Sequence, residues 1–216
     1  MQDHRREFIE LAVQQRALRF GDFTLKSGRQ SPYFFNAGEL SSGGSLATLG
    51  RCYAAAIRAS APAYDVLFGP AYKGIPLAVA TAVAIANGEG RDVPCAFNRK
   101  EAKQHGEGGS LIGASLAGRR ALVIDDVITA GTAVREVAGM IRAAGGIVAG
   151  VVIGLDRDEK GPAGRSAVEE LATELGAPVF GIARLADIVR FLEGSEELRE
   201  HLPRVLAYRE RWGASQ

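Results

Sequence analysis

Ala121-Leu122-Val123-Ile124-Asp125-Asp126-Val127-Ile128-Thr129-Ala130-Gly131-Thr132-Ala133 decides the reading of this chain. Four apolar residues suit a strand buried on both faces, and that strand ends in two adjacent carboxylates. Small and hydroxylated residues then run into a helix predicted over 132–144, with Val134, Val137, Ala138 and Ile141 on one face. Small side chains let successive backbone N–H groups approach an anion, and a helix N-terminus adds about half a unit of positive charge. The loop therefore reads as a phosphate cradle. Carboxylates beside it repel a bare phosphate, so they should face hydrogen-bond donors such as vicinal sugar hydroxyls, or a divalent cation. Phosphate joined to a ribose diol describes a phosphoribosyl group. The alternative is an acidic turn that only caps a helix.

Working outward, short apolar runs recur at 66–68, 94–97, 121–124, 147–155 and 179–183, alternating with helical segments. That alternation predicts βαβ units, and hence an α/β fold with a five-stranded parallel sheet covered by helices on both faces. Right-handed crossovers place a ligand at the carboxyl ends of the strands. An amphipathic helix over 5–18 carries Phe8, Leu11 and Ala12 on one stripe, and two strands around a Ser-Gly turn follow over 23–36. A helical run over 45–59 comes next, and a polar helical tail spans 185–212. The chain thus divides into a core over about 41–184 and a small hood from about 1–40 and 185–216.

The 216 residues carry 26 Lys+Arg against 25 Asp+Glu, a net charge of +1 that supplies no basic field for non-specific nucleic-acid binding. Cys52 and Cys95 are far apart and outside any CxxC, which argues against a disulfide framework or a cysteine zinc site and fits a reducing compartment. His4 and His201 have no ligand pattern around them. The N-terminus is charged and lacks an apolar signal core, and the apolar stretch 75–86 contains Pro76 and is too short for a membrane helix. A cytoplasmic protein is expected. Of the 26 cationic residues only five are lysines, and Lys26, Lys73, Lys100 and Lys103 fall in Gly-rich or polar connectors. A compact ammonium on a flexible stem suits polyanions whose geometry changes during a reaction.

The segment 121–133 resembles the phosphoribosyl diphosphate motif of the type I phosphoribosyltransferases, with apolar strand, acid pair and Thr-Ala-Gly-Thr in order. Four further segments, 24–28, 31–36, 69–74 and 98–108, are together similar to the orotate phosphoribosyltransferases, and the likeness runs nearly the full length. The resemblance implies transfer of a phosphoribosyl group to orotate in pyrimidine (UMP) biosynthesis, a pentosyltransferase reaction, with Mg2+ held mainly through substrate and water. It assigns Asp125 and Asp126 to the ribose hydroxyls, Thr129, Ala130, Gly131, Thr132 and Ala133 to the 5-phosphate loop, and Val127 and Ile128 to the donor. Lys26, Tyr72, Lys73, Arg99 and Lys100 go to the donor. Lys26, Phe34, Phe35, Thr129 and Arg157 go to orotate. Adjacent strand residues point to opposite faces, so only one of Phe34 and Phe35 offers its ring, and core packing is the alternative for both.

The stretch 98–113 is polar and ends in Gly106-Glu107-Gly108-Gly109, which reads as a mobile lid that closes on diphosphate. A plain solvated loop is the alternative. Lys103 and His105 then neutralise or protonate the leaving diphosphate. By resemblance, Arg99, Lys103 and His105 reach the neighbouring site of a homodimer. Two rivals share these residues: a phosphoribosyltransferase for another base, and a non-enzymatic sensor of the donor. Trp212 has no chemical role that the sequence reveals.

Overall fold

The computed structural model describes residues 1–25, 27–103, 109–128, 131–161 and 164–214, and of residues 100–103 and 109 the backbone only. The chain opens with helix α1 (Asp3–Gln14), the hairpin strands β1 (Leu18–Thr24) and β2 (Gln30–Phe35), and helix α2 (Gly43–Ser60). Then come β3 (Val66–Gly69), α3 (Gly74–Glu89), β4 (Cys95–Lys103), β5 (Gly109–Gly113), β6 (Arg120–Asp125) and α4 (Thr132–Ala143). The last elements are β7 (Ile147–Asp156), α5 (Ala167–Leu175), β8 (Val179–Arg184), α6 (Leu185–Glu193) and α7 (Leu202–Trp212).

The main sheet has six strands in the order β5-β4-β3-β6-β7-β8. The five expected parallel strands are β4, β3, β6, β7 and β8, and β5 adds an antiparallel sixth at the edge of β4. Side chains alternate between two hydrophobic layers, as the two-residue period of a strand requires. Leu67, Leu122, Ile124 and Val152 face a layer built with α1, α2, α3, α6 and α7, represented by Phe8, Leu49, Tyr53, Ile85, Ile188 and Val205. Phe68, Val123, Val151 and Ile153 face the opposite layer, where Val134, Val137, Ala138 and Ile141 of α4 meet Val168 and Leu171 of α5. The apolar face read for α4 is therefore its buried face.

The edge pair corrects one expectation. The sequence reads 98–113 as a polar lid, yet its two ends extend β4 and form β5, with Phe97 opposite Ile112 and Asn98 opposite Leu111. Backbone ladder bonds need no apolar side chain, so a polar sequence can still pair at an edge. Lys100 and Lys103 consequently lie on strand β4 rather than in a connector.

At the chain ends, α1 and α6 join the layer on the sheet, while β1 and β2 form a separate two-stranded antiparallel sheet. Helix α7 packs on β2, with the rings of Tyr33 and Tyr208 edge to face at 5.9 Å. Arg204 of α7 also pairs with Asp22 of β1. Among the described residues no helix is long and apolar enough to cross a membrane.

Candidate active site at the carboxyl ends of three neighbouring strands

Strands β3, β6 and β7 are neighbours, and the loops leaving their carboxyl ends carry the chemical residues. Asp125 ends β6. Its backbone carbonyl accepts a hydrogen bond of 2.7 Å from the hydroxyl of Tyr53, a fully buried residue of α2. Asp125 Oδ1 accepts from the Asp126 N–H, and Asp126 Oδ1 accepts from the Val127 N–H, each at 2.9 Å. These local bonds turn the chain sharply and hold the two carboxylates side by side. Burial, reinforced by the neighbouring Asp126 charge, pushes the Asp125 carboxyl up to about 6. The turn leads to Gly131, whose left-handed φ of 72° starts α4 with no side chain capping the first turn. Its unpaired N–H groups and helix dipole favour an anion there.

The second loop, 69–74, leaves β3 and lies against the end of β6. A Cβ on Gly74 would stand 2.5 Å from Pro70 Cδ and 2.8 Å from the Ile124 carbonyl oxygen, so only glycine allows this approach. The Ala71 N–H donates to Asn98 Oδ1 at 2.8 Å, which ties the loop to β4. Lys73, at the head of α3, donates to Asp126 Oδ2 at 2.9 Å and to Asn36 Oδ1 at 3.3 Å. Asp126 is nearly sealed, at 8% exposure, so this ammonium is what makes its charge tolerable there. Tyr72 projects outward at 65% exposure.

The third loop follows β7. Arg157 donates from Nε to Glu159 Oε1 at 2.6 Å and from Nη2 to Ser31 Oγ at 3.3 Å, with its guanidinium 4.8 Å from the Tyr33 ring centre. The Tyr33 hydroxyl is buried with no partner among the described residues, and burial pushes it above its ordinary pKa. A cavity of about 1090 Å³ lies beside this loop, lined by Asp158, Arg184, Leu206 and Ala207 among others. It contains neither Asp125 nor Lys73. Residues 26, 104–108 and 129–130 lie outside the described residues.

Residues 38–183 match the model of the phosphoribosyl transferase domain. An orotate phosphoribosyltransferase of Pseudomonas putida is 58% identical over 213 residues, covering 99% of this chain and 100% of that protein. The chain belongs to the orotate phosphoribosyltransferase family. A crystal structure of orotate phosphoribosyltransferase from Francisella tularensis superposes with a TM-score of 0.86 at 40% identity, covering 95% of this chain and 98% of that one. The orotate phosphoribosyltransferase of Mycobacterium tuberculosis in complex with 5-phospho-alpha-D-ribosyl 1-diphosphate superposes at 0.64 with 25% identity, over 85% of this chain and 98% of that one. The type I phosphoribosyltransferase fold follows.

Against this orotate phosphoribosyltransferase frame, the structure gathers Asp125, Asp126, Lys73 and the Gly131 helix start at one strand end. Arg157 stands on the adjacent strand's loop beside the hairpin. Phe35 is buried against Phe8 and belongs to the core, while the half-buried Phe34 stacks on Phe23 at 5.6 Å. Phe34 points to the opposite face of the strand from Phe35, as the strand period demands, with the Arg19 guanidinium 5.4 Å from its ring centre. Ile128 is buried too, so only its backbone can meet a ligand. Arg99 Nη1 is enclosed with no partner among the described residues. Lys26, His105, Thr129 and Ala130 lie outside the described residues, as do the side chains of Lys100 and Lys103. Tyr53, Glu159 and Tyr208 carry no sequence-level signal, and Asn36 and Asn98, though inside the segments 31–36 and 98–108, carry no assigned role. Tyr53 and Tyr208 reach their partners across the fold, and no spacing rule encodes such contacts.

Proposed function

We propose that this chain transfers the phosphoribosyl group of 5-phospho-α-D-ribose 1-diphosphate to orotate, giving orotidine 5′-phosphate and diphosphate. The observation that carries this reading is the carboxylate pair with its lysine, beside an uncapped helix start at the end of β6. It offers acceptors for a ribose diol and donors for a 5-phosphate within one loop. Orotate as acceptor is supported by the family and by Arg157 beside the hairpin, a cation suited to the carboxylate of a flat pyrimidine. Phe34 would wall the base, with Thr129 and Lys26 beside it. Tyr72, Lys73, Arg99 and Lys100 would hold the donor.

In transfer, the bond from the anomeric carbon to diphosphate breaks and a bond to an orotate ring nitrogen forms, through a ribosyl cation. The protein's work is positioning and charge. Asp125 and Asp126 hold the ribose, and Lys103 and His105 receive the charge of the leaving diphosphate. Mg2+ suits one or two carboxylates plus substrate oxygens and water. Asp125 and Asp126 would accept the water shell of an ion that arrives on the donor's oxygens, and it would offset negative charge on the diphosphate.

The segment around 104–108 would close over the diphosphate and, in a homodimer, serve the neighbouring site through Arg99, Lys103 and His105. Exposed Val79 and Val83, one turn apart on α3, and Ile112 on β5 support an interface with a second copy. The β1–β2 hairpin with α7 would form the hood. Two free cysteines, Cys52 buried, fit a cytoplasmic setting. The test is incubation with orotate, the diphosphate donor and magnesium, followed by loss of orotate absorbance, with a panel of other bases in parallel. Turnover of orotate alone is expected. Turnover of another base but not orotate overturns the acceptor, and donor binding without any turnover supports a sensor instead.

A further inference from the structure

Trp212, silent in the sequence, closes a clasp over the loop that carries Arg157. Its carbonyl accepts from the Lys160 N–H at 2.8 Å, Gly213 bridges to Glu159, and the Ala214 N–H donates to the Asp158 carbonyl at 2.7 Å. The indole lies under Arg29, whose guanidinium is 4.7 Å from its ring centre. Arg29 in turn bonds the Lys160 carbonyl at 2.9 Å and Glu159 Oε2 at 3.3 Å. The end of α7, the hairpin turn and the loop after β7 thus meet at one carboxylate.

That carboxylate is Glu159. Its Oε1 accepts from Arg157 Nε at 2.6 Å and from the Tyr208 hydroxyl at 2.7 Å, while Oε2 takes Arg29. Arg157 and Glu159 side chains are each only 16% exposed, so their pairing is weakly screened by solvent. Arg157 thus gives Nε to Glu159 and Nη2 to Ser31. Arg29, Arg157 and Glu159 together carry one net positive charge, the complement of a single carboxylate.

We infer that Glu159 is a positioning residue for the acceptor base: it sets the orientation of the Arg157 guanidinium, and through Tyr208 and Arg29 it makes that orientation depend on the docked C-terminal helix and hairpin. This rests on the reading that Arg157 meets orotate. Glutamate is required because every group it faces is a donor. A glutamine would turn an amide N–H toward guanidinium or phenol and remove the charge that fixes them.

The test is a cycle in the full-length enzyme: Glu159→Gln, Arg157→Ala, and the double variant, with steady-state constants for both substrates. Glu159→Gln should raise the KM for orotate about tenfold and leave kcat and the donor KM within about twofold, and the double variant should be no worse than Arg157→Ala alone. Tyr208→Phe, which removes one donor and no volume of consequence, should raise the orotate KM about two- to threefold, and it replaces Glu159→Gln in the cycle if that variant does not fold. Equal rises in both KM values, or additive effects in the double variant, would overturn the inference and leave Glu159 a structural residue. An unchanged orotate KM in Arg157→Ala would instead overturn the placement of Arg157, and this inference with it.

Discussion

The enclosed carboxyl of Asp125 makes stability depend on pH in a direction that can be worked out. Burial first, and the Asp126 charge second, raise it from an ordinary 3.8 to about 6 in the folded chain. Between those values the native state binds more protons than the unfolded state, so stability must fall as pH rises. The contribution is complete below the unfolded value and lost as pH passes the folded one. At about 1.4 kcal/mol per unit, this one group withdraws roughly 3 kcal/mol between about pH 4 and pH 7. Asp158, pushed up to about 7 by burial and then by Asp156, and Asp156 itself, raised by burial, bend the same curve. The informative quantity is therefore the difference between wild type and Asp125→Asn. Urea unfolding of both ligand-free proteins at several pH values should show wild type losing up to about 3 kcal/mol relative to the variant as pH rises. A difference that stays constant across that range, or changes with the opposite sign, would refute the account of Asp125. On the proposed role of Asp125 the charged form accepts from ribose hydroxyls, so the affinity for the donor should fall below about pH 6.

Gly74→Ala should cost about 1–3 kcal/mol and displace the loop at 69–74, because the new methyl meets Ile124 and Pro70 main-chain and ring atoms that have little room to yield. A melting curve unchanged from wild type would show that the loop is looser than its contacts imply. For the shared site, Lys103→Ala and Asp125→Asn homodimers should each be nearly inactive, whereas refolding them together should restore up to about a quarter of wild-type activity through hybrids with one intact site. Verified subunit exchange without recovery would assign the closing segment to its own subunit.

The sheet was legible because a strand buried on both faces must be a continuous apolar run, as in β3, β6 and β7, and because β4 and β8 carry short apolar runs of their own. The α4 face was legible for the same kind of reason, since Val134, Val137, Ala138 and Ile141 recur at helical spacing and are buried. Strand β5 was not, because edge pairing draws on backbone bonds that polar residues supply equally well. Helix α5 is short, and its local signals are the capping box of Ser166 and Glu169, the buried Val168, Leu171 and Leu175 at helical spacing, and the left-handed Gly176 at its end. At the site, the acid pair and its loop could be read because their chemistry is local in sequence. Tyr53 could not, since nothing near it announces a hydroxyl that meets a carbonyl 72 residues away.

The two halves of the site rest on different supports. Asp125 and Asp126 are fixed from below: the Tyr53 hydroxyl from α2 and the Gly154 and Leu155 N–H groups of β7 hold their backbone carbonyls, all within the main hydrophobic layers. Arg157 is fixed from above, by Glu159, Ser31 and Tyr33, and these depend on the hairpin and α7. A donor that keeps the same phosphoribosyl group needs a cradle set by the rigid sheet, where backbone positions are over-determined by packing. On the proposed reading an acceptor base would enter and its nucleotide leave beside the hairpin and terminal helix, which pack on the main layer through Tyr33, Phe35, Val205 and Tyr208 and reach the Arg157 loop through polar bonds.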